Sequence, residues 1–259
     1  MNYKLLFLFF VSICNGQISK DKGLVYYNVI ESFLSGAKNG PNVYSTLVFD
    51  KNKSSFVTTK DSLNSVSKLE SKNLYLNPDG PGHVYYGSPV MGFKNGFEVY
   101  SDFKKDTVWS SFKWRNYIYV KEKRVKIDWI LINETKKIGN FECKKATGIL
   151  RGREYTAWYT DEIPLPYGPW KLQGLPGLIL EAYNENQEIY FCALRVEYPT
   201  QNETPISKVK IENNGKWLTF KESLDACTEN LQWAYEKCIL LGGGCLKVTL
   251  EQRFKEFKE

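Results

Sequence analysis

Asp161 and Glu162 stand side by side in "YTDEIPLPY". Two carboxylates can divide the roles of general acid and general base in a hydrolysis. Neighbours on an extended strand point to opposite faces, so this pair would not converge on one substrate. Arg151 and Arg153 bracket Gly152; guanidinium forks can clamp phosphate or carboxylate, but on either side of a turn solvated arginine is the expectation. Asp128, Glu142 and Glu181 read as outward strand positions. Cys143 precedes Lys144 and Lys145, whose charge would favour a thiolate. Those lysines flank the thiol and do not face it, so Cys143 reads as a small buried residue. His83 is the single histidine of the chain, which excludes histidine-rich metal sites and leaves one residue through which a serine or cysteine nucleophile could be activated. The glycines of "GLPGLI" lack the downstream Lys and Ser/Thr of a phosphate cradle. No cofactor or metal site is expected.

The elements that must position these groups are mostly short strands. "GLVYYNVI", "NVYSTLVF", "SSFVTT", "HVYYG", "FEVYS", "TVWSSF", "NYIYVK" and "VKIDWILI" are aromatic and β-branched runs separated by Gly, Pro, Asn and Asp. That texture predicts an antiparallel sheet or barrel. From Ile138, "IGNFECKKATGIL" and "REYTAWYT" read as one hairpin turning at Arg151-Gly152. "GLILEAY" and "IYFCALRVEY" form another around "NENQ", and "ISKVKIE" reads as a last strand. The Ser- and Lys-rich stretch at 60–73 reads as a loop or weak helix. The period then changes: Leu224, Cys227, Leu231, Ala234, Cys238 and Leu241 recur at three and four residues, which predicts a helix over 219–241. Thr219 with Glu222 three residues on is a capping box, and Gly242 to Gly244 end the run. A short tail helix from Leu250 would align Phe254 and Phe257.

The expected fold is therefore mainly β, an antiparallel, strongly curved sheet or half-barrel with one principal helix. The opening "MNYKLLFLFFVSICNGQ" has a charged start, a short apolar run and small residues before Gln17, so residues 1–16 read as a secretory signal peptide. Bulky Ile13 argues against lipidation at Cys14. The apolar run is shorter than the roughly 20 residues that span a bilayer. Residues 17–259 then form a single domain, soluble and exported, in the periplasm or outside the cell. Net charge is +6 with lysines interleaved among acids, a mixed solvated surface that does not point to nucleic acid. Aromatics make up 15% of residues, which suits a sheet core.

Five cysteines remain beyond Cys14, and an export compartment permits disulfides. Cys227 and Cys238 on one helix would be roughly 16 Å apart, beyond disulfide reach. The pairing expected is Cys238 with Cys245 across the glycine turn and Cys192 with Cys227, leaving Cys143 reduced and buried.

Pro164, Pro166, Pro169 and Pro176 crowd into thirteen positions. Proline lacks an N–H and fixes φ, so "PLPYGPWKLQGLPG" cannot join a ladder; it reads as a rigid crossing loop holding strands together. Pro176-Gly177 would occupy the centre of a type II turn. Trp158, Tyr167 and Trp170 would pack on this loop or line a binding groove, since a curved sheet can hold an apolar guest. Gly174, Leu175, Pro176, Gly177, Leu178 and Ile179 match the motif of the GLPGLI family of exported bacterial proteins. The block from about 128 to 183 resembles that family nearly throughout. The resemblance implies an envelope protein with no established activity, and the hexapeptide is read as structural. The functional expectation is a non-enzymatic envelope protein binding an apolar ligand or an outer-membrane protein in transport or assembly. Its rivals are a hydrolase with an unrecognised acid-based site and a structural surface component.

Overall fold

A computed structural model describes residues 21–31, 42–58, 97–113, 117–212 and 214–240. "HVYYG", the 60–73 stretch, His83, Cys245 with its proposed bond to Cys238, the tail helix and the signal peptide all lie outside the described residues.

Twelve strands form one sheet: β1 (Gly23–Glu31), β2 (Asn42–Phe49), β3 (Lys53–Thr58), β4 (Glu98–Asp102), β5 (Thr107–Lys113), β6 (Tyr117–Lys123), β7 (Ile130–Ile138), β8 (Phe141–Leu150), β9 (Arg153–Thr160), β10 (Leu178–Asn184), β11 (Ile189–Glu197) and β12 (Trp217–Leu218). Their order across the sheet is β12-β6-β5-β4-β3-β2-β1-β11-β10-β9-β8-β7. Two antiparallel meanders, β1 to β6 and β7 to β11, are thus sewn together along β1 and β11. Among the described strands only the β12–β6 pairing is parallel. The β8–β9 turn places Arg151 at φ 50° and Gly152 at φ 75°, the double positive φ of a type I′ hairpin, whose twist matches the strands.

The sheet is strongly curved and open. Eight strand spacings separate β6 from β9 in the order, roughly 38 Å if the sheet were flat. Yet Glu122 of β6 forms an ion pair with Arg151 at the β8–β9 turn. The hollow so created is filled by the proline segment between β9 and β10: Ile163, Tyr167, Trp170, Leu172 and Leu175 join the same core as Val25, Leu47, Phe56, Val108 and Phe191 from the strands. Tyr167 packs on Phe49 of β2 (5.4 Å between ring centres) and on Phe103 beyond β4 (4.7 Å).

The helix α1 spans Phe220–Leu240. Its capping box is reciprocal: Glu222 N–H donates to Thr219 Oγ1 at 3.2 Å, and Thr219 N–H donates to Glu222 Oε2 at 2.7 Å. Phe220, Leu224, Cys227 and Leu231 bury one stripe against Phe112, Ile118 and Val120 of β5 and β6.

Two strand expectations change. "VKIDWILI" becomes strand only from Ile130, because the preceding residues carry the chain from β6 at one side of the sheet to β7 at the other. Trp129 anchors this crossing by donating from Nε1 to the Gln173 carbonyl at 2.9 Å. "ISKVKIE" is not a strand, since β12 already occupies the edge of β6. It lies across the sheet instead, with Ile206, Val209 and Ile211 packed on Tyr100 and Tyr119, and its Ser207 and Glu212 N–H groups donate to the hydroxyls of Ser55 and Tyr119.

Candidate functional site

The GLPGLI residues form a clasp, though not through the expected turn. Gly177 does not adopt positive φ; the left-handed glycine is Gly174, at φ 97°. Gly177 is required by closeness: a Cβ there would lie 2.0 Å from the Thr160 carbonyl oxygen at the end of β9. Leu175 and Leu178 are buried on either side of an exposed Pro176. The loop is stitched to β10 by Leu178 N–H to the Ile163 carbonyl (3.0 Å) and Ile179 N–H to the Tyr167 carbonyl (2.9 Å). Tyr167 and Trp170 therefore plug the hollow, at 1% and 4% exposure, where a groove would have left them open.

The candidate acids separate as strand geometry predicts. Asp161 pairs with Lys144, whose ammonium holds the Asp161 carboxyl below the usual range. Glu162 accepts the Glu142 N–H at 3.1 Å. Both are exposed end-of-strand contacts. Arg151 and Arg153 are not solvated: Arg151 binds Glu122 and stacks on Phe220, and Arg153 binds Glu188 at 3.3 Å, because the curl of the sheet brings those partners to the turn. Cys192 and Cys227 are not joined to each other. Cys192 belongs to β11 and Cys227 to α1 over β6, six strands apart in the order. Cys143 is a fully buried thiol, and burial pushes its pKa up to about 12.

Trp158, unlike Tyr167 and Trp170, lies on the outer side of the sheet. Its register partners are Lys145 on β8 and Glu181 on β10; Glu181 in turn stands opposite Cys192 on β11, and Cys192 opposite Asn28 on β1. Directly paired residues share a face, so these five form a row across the outer side of the sheet. Lys136 on β7 completes it: its ammonium lies 4.3 Å from the Trp158 ring centre and 2.8 Å from Glu181 Oε1. Lys145 approaches the same ring at 5.8 Å and pairs with Glu134 at 3.0 Å. The next row carries Tyr183 and Tyr190, stacked at 6.0 Å. Burial, then the charges of Glu181 and Cys192, push the Tyr190 phenol well up. Trp158 itself is 7% exposed beneath the two lysines. Glu181, read from sequence as an outward position, is on the outer face but buried. Its signal was cryptic, because the bulge between Ile179 and Glu181 sets which face it takes.

This row can bind and orient polar or aromatic surface; it presents paired charges and a stack of rings. Among the described residues, no group of three or more His, Cys, Asp and Glu sits together as a metal site would require, and no helix is long and apolar enough to cross a membrane.

Residues 149–181 match the model of a family described as "Protein of unknown function (Porph_ging)". The match runs from the β8–β9 turn through the clasp to Glu181. No curated protein matches the chain. Six chains of solved structures do. One is PNGF-II in space group P21, at TM-score 0.50 and 16% identity, covering 81% of this chain and 34% of that one. Another is PNGF-II in space group C2, at TM-score 0.48 and 15% identity, covering 81% and 33%. The chain thus spans about a third of the length of PNGF-II, and at this identity the likeness concerns the fold alone. In its central block the chain is similar to a family of unknown function.

Proposed function

We propose that this is an exported, non-enzymatic GLPGLI-type protein of the cell envelope that binds a protein partner through the outer face of β8–β11, β1 and β2, in outer-membrane transport or assembly. The observation that carries this reading is the division of the two faces. The proline clasp occupies the hollow where an apolar guest would sit, while the outer face of these strands is left uncovered by any described element. It displays Tyr44 and Leu194 at 55% and 57% exposure beside Tyr26, Tyr183, Tyr190 and Arg195. Exposed apolar and aromatic groups among paired charges are the composition of a protein interface. The clasp supports the non-enzymatic part: its carboxylates are engaged in separate strand-end contacts.

Site-specific photo-crosslinking in the native envelope tests the proposal. A crosslinker at position 44 or 194 should trap one envelope protein, whereas one at exposed Glu229 on α1 should not. Equal labelling at all three positions, or adducts to lipid only, would overturn it.

A further inference from the structure

A second outer-face cluster lies at the opposite end of the sheet. Glu98 of β4, Ser111 of β5, Tyr119 of β6 and Trp217 of β12 are register partners in one transverse row. Ser111 Oγ donates to Glu98 Oε2 at 3.2 Å. The rings of Tyr117 and Tyr119 stack at 5.9 Å, and Trp217 meets Tyr119 edge-on at 6.0 Å, making a continuous aromatic wall with Tyr117 and Trp217 half-buried. Glu212 is brought to the rim because its N–H donates to the Tyr119 hydroxyl at 3.0 Å. Its charge adds to burial in raising the Glu98 carboxyl, and both carboxylates add to burial in raising the Tyr117 phenol. Among the described residues neither carboxylate enters an ion pair, in contrast to Glu122, Glu134, Glu181 and Glu188.

We propose that Glu98, Glu212, Tyr117 and Trp217 bind an organic cation, the alkylammonium group of a small amine or of a lysine side chain. The Glu212 charge is felt at Glu98, neither carboxylate has an ion-pair partner among the described residues, and a bound cation offsets both at once. The aromatic wall independently selects the same chemistry, since the negative ring faces attract an ammonium that is partly stripped of water. A neutral sugar would leave the carboxylates unrelieved, and a metal ion would find only two charged ligands. The site is separate from the interface proposed above and stands or falls without it.

Isothermal titration calorimetry with cadaverine, tetramethylammonium and the capped peptide Gly-Lys-Gly provides the test. Saturable binding should weaken with salt and fall at least about tenfold in Glu98→Gln/Glu212→Gln, and again in Tyr117→Leu. Exposed Glu212→Gln alone should show part of the loss without touching the fold. Tighter binding of the peptide than of cadaverine points to a lysine-bearing partner, and the reverse order to a free amine; either supports the site. No saturable heat from any of the three, binding unaltered by the glutamine pair, or a response to calcium ions alone would overturn it.

Discussion

Lys171 in the proline clasp donates from Nζ to Glu122 Oε1 on β6 at 2.8 Å, and the other carboxylate oxygen of Glu122 takes Arg151 from the β8–β9 turn. One largely buried glutamate thus ties the clasp, a hairpin turn and the far meander together across the curl of the sheet. Removing Glu122 would leave two cations uncompensated, whereas removing Lys171 leaves Glu122 paired with Arg151.

Glu122→Gln should therefore lower stability by about 3 kcal/mol in urea unfolding, while Lys171→Met, which leaves Arg151 on the carboxylate, should cost less. A single variant as stable as the parent would show that the pair contributes no net stabilisation.

The two glycines of the clasp should respond in the reverse order to a type II turn. Gly174→Ala meets only the Trp129 side chain, at an ordinary contact distance of 3.8 Å, and strains φ, costing about 1 kcal/mol. Gly177→Ala drives a Cβ into the backbone of Thr160, and a loss of roughly 3 kcal/mol or more is expected. Comparing the two melting temperatures decides between close approach and turn conformation.

Lys136→Met should cost about 1–2 kcal/mol, less than a fully buried pair because Lys136 is partly solvated. It strips the cation from the Trp158 face and leaves Glu181 without its partner. A double-mutant cycle with Glu181→Gln measures the coupling; additive losses would mean that the row is a set of independent contacts.

Alkaline stability follows from Cys143. Burial raises its folded pKa to about 12 from the ordinary thiol value of 9.0, so the folded state holds the proton more tightly than the unfolded chain. The stabilisation is complete below pH 9 and is lost as pH rises towards 12, and the raised phenols of Tyr27, Tyr167 and Tyr190 act in the same direction. Urea midpoints should fall steadily across that window. Iodoacetamide at pH 8 should leave Cys143 unmodified in the folded protein and label it once unfolded, which peptide mapping reads directly.

Asp161→Ala and Glu162→Ala should leave melting nearly unchanged, since both side chains are exposed at the end of β9. Turnover on a panel of hydrolase substrates that vanished with either variant would revive the acid-based rival.

Much of the local structure is written in the chain. Most of the described aromatic and β-branched runs, the Arg151-Gly152 turn and the Thr219–Glu222 box depend on residues close in sequence and form where local chemistry places them. The prolines likewise forbid a ladder and announce a stiff loop. What tertiary structure alone decided is which distant side chains meet. The row from Lys145 through Trp158 and Glu181 to Cys192 depends on strand order and on a bulge, neither of which has a local signature. Arg151 and Arg153 were legible as turn residues but not as ion-pair partners, because the curl of the sheet delivers Glu122 and Glu188 to them. Gly177 shows the same divide: sequence marks a glycine beside a proline, and only the passing backbone of Thr160 explains why nothing larger fits.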